Sequence, residues 1–272
     1  MATPSVSTTL HYNDVPQADA LAADYVYCVV EDSRSASLGP VGIEGREVYV
    51  VAHRGLGALV HASPPLAYQA TDREIAGAWV LAHHQVVDSA WRRWGTVLPL
   101  TFNTIVLPGA TGADQSVTAW LDREHEHLQG KLQALAGKAE YGVQVSCDSS
   151  HLVEQALAAN PDIGKLQEQA NSPSRGLAYM YRQQLETVLK RAVEGQALRE
   201  SAQLYGKLRA CADDTRLEKT KAAGDGQTML LNLSCLVSPE RLAGLEMAVQ
   251  GLRGMAGLSV RMVGPFPPYS FC

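Results

Sequence analysis

The chain has 272 residues, 46% of them hydrophobic, with 23 basic against 28 acidic side chains and a formal net charge of −5. It is long enough for two domains of ordinary size, each with its own core. The slight net acidity argues against nucleic acid or an anionic membrane as partner, and no apolar run reaches the roughly 20 residues that cross a bilayer.

The first residues lack the basic and apolar regions of a secretory signal, so 1–20 is expected to be a disordered leader of a cytoplasmic protein. Asp24 to Val30 (DYVYCVV) predicts a buried strand, and the Gly/Ser/Pro-rich stretch from Ser33 to Gly45 a loop. Glu47 to Ala52 and Ala58 to His61 predict a hairpin turned by Gly55-Leu56-Gly57. Thr71, with Glu74 three residues on, predicts a capping box opening a helix whose stripe is Ile75, Trp79, Ala82, Val86, Ala90 and Trp94, stopped by Gly95. Leu98 to Leu107 predicts a strand interrupted near Asn103. A helix starting at Asp114 follows, burying Val117, Leu121, Leu128, Leu132 and Leu135 and ending at Gly137. Glu140 to Cys147 is a further strand, with Ser146, Ser149 and Ser150 expected to cap what comes next.

Ser172-Pro173 predicts the start of a long helix running past Leu208, with Gly195 as the place for a bend or break. Asp213 to Gln227 is charged and predicts a mobile loop. Thr228 to Val237 predicts a strand, Ser238-Pro239-Glu240 a helix start and Leu258 to Val263 a last strand. The fold class expected is α+β in two small domains. The first, 21–136, is a modified ferredoxin-like antiparallel sheet with helices on one face; the second, 137–263, is α+β with the long helix. An extended tail, 264–272, closes the chain as Gly-Pro-Phe-Pro-Pro-Tyr-Ser-Phe-Cys. Its prolines fix φ and remove donors, and a terminus carrying Phe266, Pro267, Pro268, Tyr269 and Phe271 calls for a groove, on this chain or on a partner.

Signatures of chemistry are missing. Gly55-Leu-Gly57 lacks the third glycine of a dinucleotide fingerprint, and there is no phosphate loop or nucleophile elbow. His83-His84 and His125-Glu126-His127 sit at spacings that point apart around a helix, so neither cluster chelates an ion by itself. Asp213-Asp214 reads as solvated carboxylates. Five scattered cysteines, Cys28, Cys147, Cys211, Cys235 and Cys272, form no CxxC pair and are expected to be reduced thiols, with Cys28 and Cys235 as strand filler. No catalytic residue, metal site or cofactor is expected. Arg92-Arg93 beside Trp91 and Trp94 reads either as an interface anchor or as cations at a helix C-terminus.

Three stretches, in this order, resemble the gas vesicle protein F/L family (GvpF/GvpL): Val97-Leu-Pro-Leu-Thr-Phe-Asn-Thr-Ile105, Lys138-Ala-Glu-Tyr-Gly-Val-Gln-Val145 and the tail Gly264-Pro-Phe-Pro-Pro-Tyr-Ser-Phe271. Tyr25-Val-Tyr27 and Gly176-Leu-Ala-Tyr179 add support. The family's strand motif reads close to LPxRFGT, and here Thr101 and Asn103 stand where arginine and glycine are common. The resemblance implies a non-catalytic accessory protein of gas vesicle formation, cytoplasmic and associated with the vesicle. It would bind the small hydrophobic major shell protein, other gas vesicle accessory proteins, or both, during nucleation or assembly. A minor structural component of the finished vesicle and a small-ligand-binding module remain as alternatives.

Overall fold

The computed structural model describes residues 23–32, 34–110, 112–171, 175–221, 224 and 226–272. The expected leader and the Ser172-Pro173 helix start lie outside them. The chain divides into two compact units, one comprising residues up to Lys138 together with Phe266–Cys272, the other Ala139–Pro265.

In the first unit β1 (Ala23–Val30), β2 (Ser37–Gly39), β3 (Val48–His53), β4 (Leu56–Ser63), β5 (Leu98–Pro99) and β6 (Ile105–Val106) form a sheet of order β2-β3-β4-β1-β5, with β6 also paired to β1. The helices are α1 (Arg73–Trp94), α2 (Ala113–Arg123) and α3 (His125–Leu135). Strand β1 is buried along its whole length because helices cover both of its faces, not one as expected. Alternation sends Tyr25 to His83 of α1, while Asp24 and Tyr49 turn the other way, where Tyr49 also meets Asp114 of α2. A bulge between Val26 and Cys28 adds Tyr27 to the α1 side, so Tyr25, Tyr27 and Cys28 share one core with Leu59, Trp79, Val86 and Val87.

The second unit runs β7 (Ala139–Asp148), α4 (Ser149–Ala159), α5 (Pro161–Gln169), α6 (Arg175–Arg209), β8 (Asp214–Leu217), β9 (Gln227–Val237), α7 (Pro239–Arg253) and β10 (Leu258–Phe266), with sheet order β10-β7-β9-β8. Its core gathers Val143, Leu152, Leu208, Leu231, Leu233 and Leu245.

Several local expectations are corrected. A 3-10 turn at Ile43–Gly45 and strand β2 occupy the expected loop from Ser33 to Gly45. The hairpin turns at Arg54-Gly55, with φ of 49° and 87°, the left-handed pair that matches strand twist. Gly57 instead lies within β4, where a Cβ would come 2.7 Å from Val50 Cγ1. Asp72, not Thr71, caps α1, its Oδ1 accepting from Glu74 N at 2.8 Å. The buried stripe of α1 is rotated: His83 and Val87 are inside, and Ile75 is 44% exposed. The helix expected from Asp114 to Gly137 breaks at Glu124 into α2 and α3. Ser146 lies in β7 and Ser149 begins α4 without a side-chain cap, its hydroxyl bonded to Thr228.

In the long helix, α6 passes Gly195 unbroken for 35 residues, about 52 Å at 1.5 Å per residue. Packing along its length outweighs the single glycine's cost of about 1 kcal/mol. The expected loop from Asp213 contains β8, an edge strand that needs only Thr215 inside. The tail is not wholly extended: β10 runs through Phe266, and Tyr269–Phe271 curl into a 3-10 turn.

Candidate functional site

The tail finds its groove in the first unit. Pro267 and Pro268 are buried, and the Tyr269 ring packs against the α1 core and edge-on against His84, with centroids 4.8 Å apart and an interplanar angle of 78°. The turn that presents Tyr269 is local. Tyr269 N donates to Pro267 O at 2.8 Å and Phe271 N to Pro268 O at 3.2 Å. Burial lowers the His84 pKa and raises that of Tyr269. Phe271 is half-buried. Phe266, expected to dock with the other aromatics, is 46% exposed.

Beneath the tail lies a buried polar network that pattern reading missed. The Tyr27 hydroxyl accepts from Ile43 N at 2.9 Å and lies 2.7 Å from His61 Nδ1; His61 Nε2 lies 3.0 Å from the Tyr68 hydroxyl. The Tyr27 oxygen and the two His61 ring nitrogens thus link three rings and one backbone N–H in a single buried chain. Tyr25 repeats the pattern, accepting from Asn103 N at 3.1 Å and lying 2.9 Å from His83 Nδ1. Tyr25 and His61 stack at 5.0 Å with planes 12° apart. Burial pushes His61 down to about 3 and His83 down to about 4, so both are neutral at physiological pH. Asn103, at φ 70°, adds a two-pronged clasp: its Oδ1 accepts from Tyr68 N at 2.9 Å and its Nδ2 donates to Tyr68 O at 3.1 Å. The three tyrosines and two histidines are all enclosed, so the arrangement fixes a core.

The surface around the tail is different. No charged residue lies between Glu74 and Asp88, and the outward side of this part of α1 exposes Val80 at 37% and Leu81 at 58%, while Ile75, one turn before the buried Trp79, continues the inward stripe at the helix start. Val80 and Leu81 stand one turn before His84, on the side where Tyr269 sits. Phe266 is within about 10 Å of chain from Tyr269. The charge-free run was the sequence signal for this face. Arg92 and Arg93 end the same helix, Arg92 paired with Asp88 at 2.7 Å and the Arg93 guanidinium 4.6 Å over the Trp94 ring. Asp88 in turn acts electrostatically on the Tyr269 hydroxyl, so the helix brings Arg92 and the tail into one neighbourhood. His125, at α3, binds the Arg54 carbonyl at 2.9 Å. Among the described residues no three His, Cys, Asp or Glu side chains form a metal-sized group, and no helix is long and apolar enough to cross a membrane.

In the second unit an open groove of about 810 Å³ lies between α7 and β10, lined by Tyr141, Leu242, Met247 and Met262 with Glu246 and Arg253.

Comparison with known proteins places this geometry. Gas vesicle protein L2 of Halobacterium salinarum is 28% identical over 266 residues, spanning 94% of each chain. Gas vesicle protein F of Streptomyces sp. (strain CB03234) is 30% identical over 251 residues, spanning 91% of this chain and 98% of that one. The crystal structure of GvpF from Anabaena sp. PCC7120 shares the fold, with a TM-score of 0.69 at 21% identity over 92% of this chain and 98% of that chain. The sequence profile described as gas vesicle synthesis protein GvpL/GvpF matches residues 23–272, and the chain therefore belongs to the GvpL/GvpF family of gas vesicle proteins.

Proposed function

We propose that this protein is a non-catalytic assembly factor of gas vesicle formation, acting in the cytoplasm and at the vesicle, that captures the hydrophobic shell protein on the outer face of α1 and the adjoining tail. The observation that carries the reading is the uncharged, exposed side of α1 that carries Val80, Leu81 and His84, with the tail anchored at its end through Tyr269. Exposed apolar surface of this kind is characteristic of a protein-binding face. The docked tail contributes Phe266, and Arg92 and Arg93 supply a polar rim. Other accessory proteins of the vesicle are the further partners of the same surface. Both sheets read as ferredoxin-like, since each has its first and third main strands adjacent at the centre. In the first unit β2 and a 3-10 turn stand where a crossover helix would be.

The test is co-expression with the major shell protein and pull-down from soluble lysate. Leu81→Asp places a charge on a side chain that is already 58% exposed, so the fold is retained, and a charge buried against an apolar partner is expected to lower recovery at least about tenfold. Equal recovery by the native chain and the variant sinks the α1 reading. The groove at α7 is the specific feature that favours a small-ligand role instead. Retention as a minor shell component is separated from transient assistance by measuring its amount in washed vesicles.

A further inference from the structure

Where α2 meets the sheet, the Tyr49 hydroxyl lies 3.2 Å from Asp24 Oδ1 and 2.9 Å from Asp114 Oδ1. A phenol has one proton and donates to one acceptor only. Its second contact with a carboxyl oxygen is a hydrogen bond only if that carboxyl supplies the proton. Asp24 is the member that does so: it is 1% exposed, whereas Asp114 is at the surface, and its Oδ2 has no partner among the described residues. A neutral acid leaves one carbonyl oxygen unpaired there, whereas an anion would leave a charge unpaired in the interior.

We propose that Asp24 is a protonated acid donating to Tyr49, which donates to Asp114, and that this directed chain of hydrogen bonds is a proton-dependent latch seating the start of α2 on β1 and β3. Loss of the proton sets two carboxylates against one hydroxyl and removes the tie. Burial, then the Asp114 charge, raise the Asp24 pKa to about 7, which puts the release within the physiological range.

The groups around the latch are few. Just before β3, Glu47 accepts from Ser37; opposite Asp24, β4 presents Ala62 and β6 presents Val106. Arg46 reaches the Ala62 carbonyl at 3.4 Å and acts on His61. The far end of α2 is held separately, by Asp122 on His53 and Arg54. Across the sheet, His61 and His83 titrate with the opposite sign, since their folded pKa values are depressed and their stabilisation is lost as pH falls below about 6.5.

Asp24, with its folded pKa raised, favours folding fully below about pH 4, and that contribution is lost as pH rises to about 7. The experiment compares the full chain with Asp24→Asn, whose amide can donate to Tyr49 at every pH. The ratio of their folding constants cancels the histidines. The native chain is expected to lose ground to the variant by close to tenfold per pH unit between about 4 and 7. A pH-independent ratio overturns the proposal. Carboxyl-labelled aspartate NMR on the native full chain gives a second reading that needs no variant. One carboxyl titrating near pH 7 is expected, and all aspartates titrating below about pH 5 overturns the latch.

Discussion

Replacing Tyr27 with phenylalanine is expected to destabilise the first unit by about 3 kcal/mol, although a single oxygen is removed. The loss leaves the buried Ile43 N–H without its acceptor and His61 Nδ1 without its partner. An unsatisfied buried group costs about 1–3 kcal/mol and a lost hydrogen bond about 1. The same change at Tyr269 is expected to be neutral or slightly stabilising, because its buried hydroxyl has no hydrogen-bond partner among the described residues. The chain's four tryptophans, Trp79, Trp91, Trp94 and Trp120, all lie in the first unit. Denaturant unfolding followed by tryptophan fluorescence therefore reads both variants directly. Equal stability of the two would mean that the histidine network contributes nothing to the fold.

Replacing Asn103 with glycine is expected to cost about 1–2 kcal/mol, against the usual preference for glycine at positive φ. At φ 70° glycine relieves at most about 1 kcal/mol of strain, and asparagine tolerates this region better than most residues. The change also removes both bonds to the Tyr68 backbone, leaving a partly buried N–H and C=O unpaired at about 1–3 kcal/mol together. The side-chain term wins. The same fluorescence-detected unfolding decides, and a glycine variant as stable as the native chain would show that the turn alone matters. The residue that departs from the family's strand motif thus has its own structural task here.

That task could not be read from spacing, because Asn103 and Tyr68 are brought together by folding. The elements that were legible carry strong local signals: valine and tyrosine runs in β1 and β3, apolar alternation in β7, the leucine-rich run of β9, and the apolar period and Gly95 stop of α1. Errors came where two local solutions compete. Thr71 and Asp72 are both cap formers, and the carboxylate holds the Glu74 N–H. The charged sequence Asp-Thr-Arg-Leu is an edge strand because β9 supplies its hydrogen bonds. His83 and His84 point apart around the helix, and only folding supplies their partners: one ring enters the core and the other meets the tail.

Of the candidate site, the tail's prolines and aromatics called for a groove without saying whose, and the contact of Tyr269 with His84 is made by folding. The exposure of Phe266 and the outer face of α1 were not legible, since a single apolar stripe had been assigned to a helix that is apolar on more than one side. Gly264 adds a constraint equally hidden in the sequence. At φ 128° a Cβ there would come 2.8 Å from the Glu140 carbonyl, so no other residue fits where the chain leaves β10 for the tail.

The most direct measurement is site-specific photocrosslinking in cells that also express the major shell protein, with the photoreactive residue placed at Leu81 on α1 or at Leu198 on α6. Both side chains are solvent-facing, at 58% and 72% exposure. The account predicts a covalent adduct with shell protein from position 81 and none from position 198. An adduct from 198 with none from 81 would contradict it.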